Sequence, residues 1–243
     1  MAKTLAVATA LAMLGAAAGD GAAGAGGRQL AARPPAEPPA GAVALASAPP
    51  QTVELNLPFD GMWGVIQGVN SGDTHVGYAA YALDFVPAEN LSIALPEKQR
   101  RRLTDFPCYG QPVLAPAAGR VVWARGGARD RPPRKQAKGD PGNFVIVQHA
   151  EGEYTELRHL KAGSVRVKVG DRVSRGQALG ACGNSGNAGT PHLHLGLLGS
   201  VDPIATRPMR FSGYQVLQPD GSWRAGDGLP AVGEILRREP SAR

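Results

Sequence analysis

Apolar and polar residues alternate in short runs along most of this chain, and few runs are longer than a strand. Val53, Leu55 and Leu57 alternate with polar neighbours and predict a strand closed by the turn Pro58-Phe59-Asp60-Gly61. Trp63–Gln67 predicts a second strand, and Tyr81–Val86 a buried one, joined by a loop from Gly68 to Gly77. From Gln111 the runs follow quickly: Pro112–Pro116, Arg120–Ala124, Asn143–His149, Glu153–Leu160 and Val165–Val169. The Glu151-Gly152 turn makes a hairpin of Asn143–His149 and Glu153–Leu160. The stretch Val169–Gln177, in the pattern Val-Gly-Asp-x-Val-x-x-Gly-Gln, reads as short strands folded about tight glycine turns. Asp202–Arg210 reads as irregular, and Phe211–Trp223 as a hairpin around Pro219-Asp220-Gly221. One short helix is expected near Pro96–Leu103, where proline fits a first turn.

Composition supports a mainly β protein. Glycine (33) and proline (21) are abundant and aromatics are 5%, which suits many turns better than a helical bundle. The 243 residues allow one sizeable domain, or at most two small ones. Met1-Ala2-Lys3 followed by the apolar run Leu5–Ala18 reads as a secretory signal peptide over 1–18, with Ala16-Ala17-Ala18 at the cleavage site. That run is too short for a membrane span. Residues 19–50, rich in Ala, Gly and Pro, read as a disordered linker. The domain is expected over 51–236 and a frayed tail over 237–243. A periplasmic or extracellular location follows.

The net charge of +6 suits an anionic partner. No nucleic-acid-binding pattern is present, so a membrane surface or a polyanionic wall fits better. The basic stretch Gly126–Pro141, with Arg129, Arg131, Arg134, Lys135 and Lys138, reads as mobile and exposed. The insert Ala88–Pro107 can cover a groove or leave it open. Cys108 and Cys182 form a bridge or remain two buried thiols; they have no Cys-x-x-Cys spacing for zinc.

The chemistry centres on Thr190–Gly196. A strand turns every second side chain to one face, so His192 and His194 point together and Leu193 and Leu195 point away. One imidazole can bind a metal while the other moves protons. The glycine- and asparagine-rich run Gly180–Gly189 feeds this strand into a cleft. Asp84 is a second anomaly, an acid inside an apolar strand, and such carboxylates are paired or metal-bound. His75 lies upstream of it. His149 ends a strand beside a turn and is expected to serve structure.

In order, these pieces resemble the lysostaphin-type, LytM-like zinc metallopeptidases of peptidoglycan. The matching pieces are His75 with Ala82-Leu83-Asp84-Phe85, Tyr154-Thr155-x-Leu157-x-His159-Leu160, Val169-Gly170-Asp171, Gly183-Asn184-Ser185-Gly186 and Pro191-His192-Leu193-His194, within roughly residues 60–200. The resemblance implies a small antiparallel β-sandwich or barrel-sandwich hybrid with long loops around a zinc groove. It implies one Zn²⁺ held by His75, Asp84 and His194, and catalytic histidines at His159 and His192. It implies cleavage of cross-link or stem peptides of peptidoglycan by metal-activated water. His75 and Asp84 are nine residues apart, against four in the best-known members, and Asp73 is a substitute oxygen ligand. Two other readings use a related fold: a non-enzymatic wall-binding regulator of other hydrolases, and a lipoyl-like carrier. The carrier needs a lysine at a hairpin tip, which none of the predicted turns supplies.

Overall fold

In the computed structural model the described residues are 48–72, 74–94, 99–202 and 204–239. The expected signal peptide and nearly all of the expected linker lie outside them, as do Asp73 and the first three residues of the expected helix. Among the described residues the protein is mainly β, with strands β1 (Trp63–Gln67), β2 (Leu83–Glu89), β3 (Ser92–Ile93) and β4 (Pro112–Leu114). These are followed by β5 (Gly119–Arg125), β6 (Phe144–Ala150), β7 (Glu153–Arg158), β8 (Arg172–Val173) and β9 (Ala178–Ala181). The chain ends in β10 (Leu193–Val201), β11 (Ile204–Thr206), β12 (Phe211–Leu217), β13 (Trp223–Gly228) and β14 (Ile235–Arg238).

One open antiparallel sheet runs in the order β13-β12-β14-β1-β2-β10-β7-β6-β5-β8, with β3 added to β2 and β11 to β10. A separate ladder pairs β4 with β9. Alternation puts Leu83 and Phe85 of β2, Leu193, Leu195 and Leu197 of β10 and Leu157 of β7 on one face, all fully buried. They share one core with Val113, Leu179, Leu55, Leu57 and Phe59, contributed by the small ladder and the 53–59 segment. The opposite face of β2, β10 and β7 carries the polar chemistry described below.

Five local expectations change. The 53–57 run forms no strand and makes one isolated bridge, a parallel one between Leu55 and Phe211. Its backbone is held otherwise: the buried Glu153 carboxylate accepts from Thr52 N–H (2.6 Å) and Val53 N–H (2.7 Å). Val165–Val169 forms no strand, since it crosses the small ladder and contributes Arg166 N–H to Leu179 O. The described end of the expected helix is a single 3-10 turn, Leu103–Asp105. The irregular 202–210 stretch contains β11, which pairs with β10. At the C-terminus β14 continues through Arg237 and Arg238, and the Arg238 guanidinium donates to Leu57 O at 2.7 and 2.9 Å.

Cys108 and Cys182 are joined in a disulfide, with their Cα atoms 5.7 Å apart. The bridge closes the end of the β4–β9 ladder, where Gly110 N–H donates to Cys182 O and Cys182 N–H to Gln111 O. It spans 74 residues, so it removes much of the freedom of the unfolded chain. Elsewhere His149 ties two segments together, its Nδ1 2.8 Å from Ala118 O and its Nε2 2.8 Å from Thr155 Oγ1.

Two predictions follow from this packing. Replacing both cysteines by serine is expected to lower stability by roughly 2–5 kcal/mol, read from urea unfolding. Burial holds His149 below its ordinary value near 6.5. The unfolded chain therefore takes up this proton first as pH falls. The contribution of neutral His149 is complete above pH about 6.5 and is lost progressively below it. The unfolding midpoint of His149→Gln is expected to fall less steeply than that of the wild type between about pH 7 and pH 5. Equal slopes would show that His149 contributes nothing to the pH dependence.

Candidate metal centre

The site is assembled across three neighbouring strands. On β2, Asp84 stands directly opposite His194 of β10, and His194 stands opposite Arg158 of β7. Asp84 is 5% exposed, on a strand whose neighbours Leu83 and Phe85 are sealed in the core. Among the described residues, His75, Asp84 and His194 form the group able to hold a metal ion, with one donor atom from each within 4.8 Å of the others. Asp84 Oδ1 lies 3.1 Å from His75 Nε2 and 2.9 Å from His194 Nδ1. Asp84 Oδ2 lies 3.5 Å from His192 Nε2.

His75 reaches this carboxylate from the β1–β2 loop, so the nine-residue spacing is taken up by local structure. A 3-10 turn at Gly77–Ala79 fills the interval. Thr206 of β11 pins that turn, its hydroxyl donating to Tyr78 O and accepting from Tyr81 N–H. His75 is fully buried, and its Nδ1 lies 3.0 Å from Gly68 O.

His159 and His192 flank the trio, with ring centroids 4.8 Å apart. His159 follows β7 with φ of 63°, a left-handed conformation in which histidine is enriched among non-glycine residues. Gly183 crosses closely behind it, donating N–H to His159 O; a Cβ on Gly183 would come within 2.3 Å of Lys161 N. His192 precedes β10 rather than lying within it, and its Nδ1 is 2.7 Å from Thr190 O.

Backbone carbonyls set the tautomers. A carbonyl oxygen only accepts, so the ring nitrogen facing it carries the proton. His75 donates from Nδ1 to Gly68 O, His159 from Nδ1 to Ser185 O (3.0 Å) and His192 from Nδ1 to Thr190 O. In each neutral ring Nε2 is left as a lone pair. For His75 that lone pair faces Asp84 Oδ1, which is also an acceptor. Two acceptors 3.1 Å apart repel unless a proton or a metal cation sits between them. Burial by itself would lower His75, but the hydrogen bond and charge of Asp84 outweigh it and raise its affinity for a proton. Burial opposes the charge on Asp84, yet His192, His194 and His75 together hold it well below the ordinary carboxylate range. Burial, with the neighbouring charges of His192 and His194, pushes His159 well below the usual histidine value. Burial also lowers His194.

The donor set of two imidazoles and one carboxylate is one that Zn²⁺ accepts while keeping a position for water. Asp84, His194, His159 and His192 open into a cleft of about 390 Å³ that also includes Gln136, Asn187, Tyr78 and Arg158, while His75 is buried outside its lining. The basic 126–141 stretch borders it through Gln136, and its basic residues Arg129, Arg131, Arg134, Lys135 and Lys138 stay exposed outside the lining. The stretch is tied down more than its composition implies. Arg131, Arg134 and Ala137 donate backbone N–H to Asn184, Gly189 and Gly186. Asp130 accepts from Asn184 N–H and Tyr109 OH. No described residue of the 88–107 insert lines the cleft.

Sequence reading missed Ser185 and Arg158. Ser185 sets the His159 tautomer through its carbonyl, and its hydroxyl accepts from Asn143 N–H and donates to Leu160 O. Strand alternation places Arg158 on the face of Glu156, which was the available signal, but alternation does not say that this face is buried.

The sequence profile of peptidase family M23 matches residues 101–205. That stretch includes His159, His192 and His194, while His75 and Asp84 precede it. The chain is 35% identical over 102 residues to the peptidoglycan DD-endopeptidase ShyA of Vibrio cholerae, covering 42% of this chain and 21% of that protein. It is 35% identical over 86 residues to the cell division protein DipM of Caulobacter vibrioides, covering 35% of this chain and 12% of that protein. The chain thus spans about a fifth or less of the length of these curated relatives. The catalytic domain of lysostaphin from Staphylococcus simulans aligns at 22% identity with a TM-score of 0.35, over 57% of this chain and 80% of that one. That likeness is too low to carry the fold assignment, which rests on the strand order itself. Over residues 101–205 this chain is thus similar to peptidase family M23 and to the curated relatives that match it there.

Proposed function

We propose that this protein is an exported, zinc-dependent endopeptidase that hydrolyses peptide bonds of peptidoglycan. The observation that carries the proposal is the opposition of His75 Nε2 and Asp84 Oδ1 beside His194 Nδ1, a buried acceptor set that calls for a cation. His75, Asp84 and His194 would hold one Zn²⁺. When bound, zinc polarises a peptide carbonyl and lowers the pKa of water. The names of relatives such as ShyA support peptidoglycan as the substrate. The Cys108–Cys182 disulfide supports an oxidising compartment outside the cytosol, as the N-terminal signal pattern does. Among the described residues no helix is long and apolar enough to cross a membrane.

The chain's own histidines would handle the protons. His159 is held neutral by burial, with Nδ1–H fixed on Ser185 O and Nε2 free as a base. His192, fixed by Thr190 O, presents its Nε2 on the other side of the same space. A proton taken from water by one ring can be returned to the leaving amine, and a ring that has become N–H can donate to the oxyanion.

The test is digestion of purified peptidoglycan, with and without a zinc chelator, followed by mass spectrometry of the fragments. Chelator-sensitive release of fragments with new amino ends is expected. Asp84→Asn and His194→Ala are expected to lose both bound zinc and activity, and full activity in either would sink the metal assignment. His159→Ala is expected to retain zinc and to lose about 10²–10⁴-fold in kcat. A zinc-loaded wild type that releases nothing would favour the regulator reading instead.

A further inference from the structure

The row Asp84–His194–Arg158 does not end at the metal-binding trio. Arg158 is 6% exposed and stands one strand beyond His194. Adjacent strands lie about 4.8 Å apart, so Arg158 is on the cleft floor beside the reacting centre. Of the described residues lining the cleft it is the only lysine or arginine.

Its guanidinium is half used. Nε donates to the buried carboxylate of Glu156, two residues back on the same face. The two terminal nitrogens have no hydrogen-bond partner among the described residues, and neither is sealed from solvent. The Phe144 ring lies on the side away from His194, with the Arg158 Cζ 5.6 Å from its centroid. The Glu156 bond and the Phe144 ring fix the orientation of the planar fork, and its free edge opens to the cleft. A buried ion pair is seldom more stable than apolar residues of the same volume, so stability alone does not account for the pair.

Resting on the function proposed above, we infer that Arg158 is a specificity-determining residue that binds a free carboxylate of the peptide within about two residues of the scissile bond. The fork geometry of guanidinium matches a carboxylate through two parallel N–H donors. The reach follows from register: one strand spacing covers little more than one extended residue of substrate. The carboxylate belongs to the peptide's chain end or to a side chain, and both present the same group. Gln136, Asn187 and Tyr78 offer neutral hydrogen-bonding groups along the cleft and no second cation.

The experiment starts from a peptidoglycan fragment that the full-length wild-type protein cleaves. The fragment is resynthesised as the free acid, as the chain-end amide and as the side-chain amide. The wild type is expected to prefer the free acid over one amide by about 10–100-fold in kcat/KM, carried mainly in KM, as for a charge-assisted hydrogen-bonded pair. The amide that suffers identifies the source of the carboxylate. Removing Arg158 alone would strand the buried Glu156, so the informative variant is Arg158→Gln combined with Glu156→Gln. In that variant the preference is expected to collapse to near one, and Arg158→Lys, which keeps charge without the fork, is expected to keep part of it. A purely structural Arg158 would lower all three rates together and leave the ratio unchanged. Equal wild-type rates on all three forms would overturn the inference and leave the endopeptidase reading standing. A preference that survives in the double variant would overturn the assignment to Arg158. Failure of the wild type to cleave any peptidoglycan fragment would overturn the endopeptidase reading, and this inference with it.

Discussion

A carboxylate buried in the middle of an apolar sheet dominates this structure. Asp84 sits on β2 between two core residues, where an unpaired charge would cost several kcal/mol. Three histidines converge on it from the β1–β2 loop, the residue before β10 and β10 itself. Much of the surrounding architecture serves that convergence. The 3-10 turn held by Thr206 returns the chain so that His75 can reach the carboxylate. The β2–β10 register sets His194 opposite it, and a slip of one residue would turn the histidine into the core.

The same device recurs around the ring of histidines. Carbonyl groups of Gly68, Ser185 and Thr190 each take an Nδ1 proton, and each leaves Nε2 directed inward. Such partners orient a ring and raise its basicity as a ligand or a base. None of these carbonyls lies in a regular strand, so the loops must be held by other means. The 126–141 stretch does this for 184–189 through paired backbone bonds and the Asp130 carboxylate, and the disulfide anchors the segment entering that loop. A basic stretch that composition reads as mobile thus acts as a brace for the histidine-bearing face, with its charges left outside.

Short apolar runs bounded by turn residues were enough to read β1, β6, β7 and the β12–β13 hairpin; β6 is buried on both faces, with Val145 and Val147 in the main core and Phe144 and Ile146 in a second cluster. Alternation was enough to pair His192 with His194, since a period of two carries both to one side. The odd acid in an apolar strand marked Asp84 for the same reason: burial of charge demands a partner. Alternation failed where a segment's backbone bonds are met outside a ladder. The 53–57 run has a strand's pattern, but its N–H groups go to the Glu153 carboxylate and the Pro116 carbonyl. It failed again at β11 and β14, whose few residues acquire strand character only from the neighbours that pair with them.

By itself the sequence determined the fold class, the chemical types at the site and which side chains share a strand face, since these depend on local period and residue identity. Tertiary structure alone decided that Cys108 and Cys182 meet, that His75 crosses its long loop to reach Asp84, and that Arg158 stands beside His194. The first and last are contacts between segments far apart in the chain, and the second depends on how the His75–Asp84 loop closes against β11. Their separation is set by strand register and loop closure, and neither is encoded in any short window of residues.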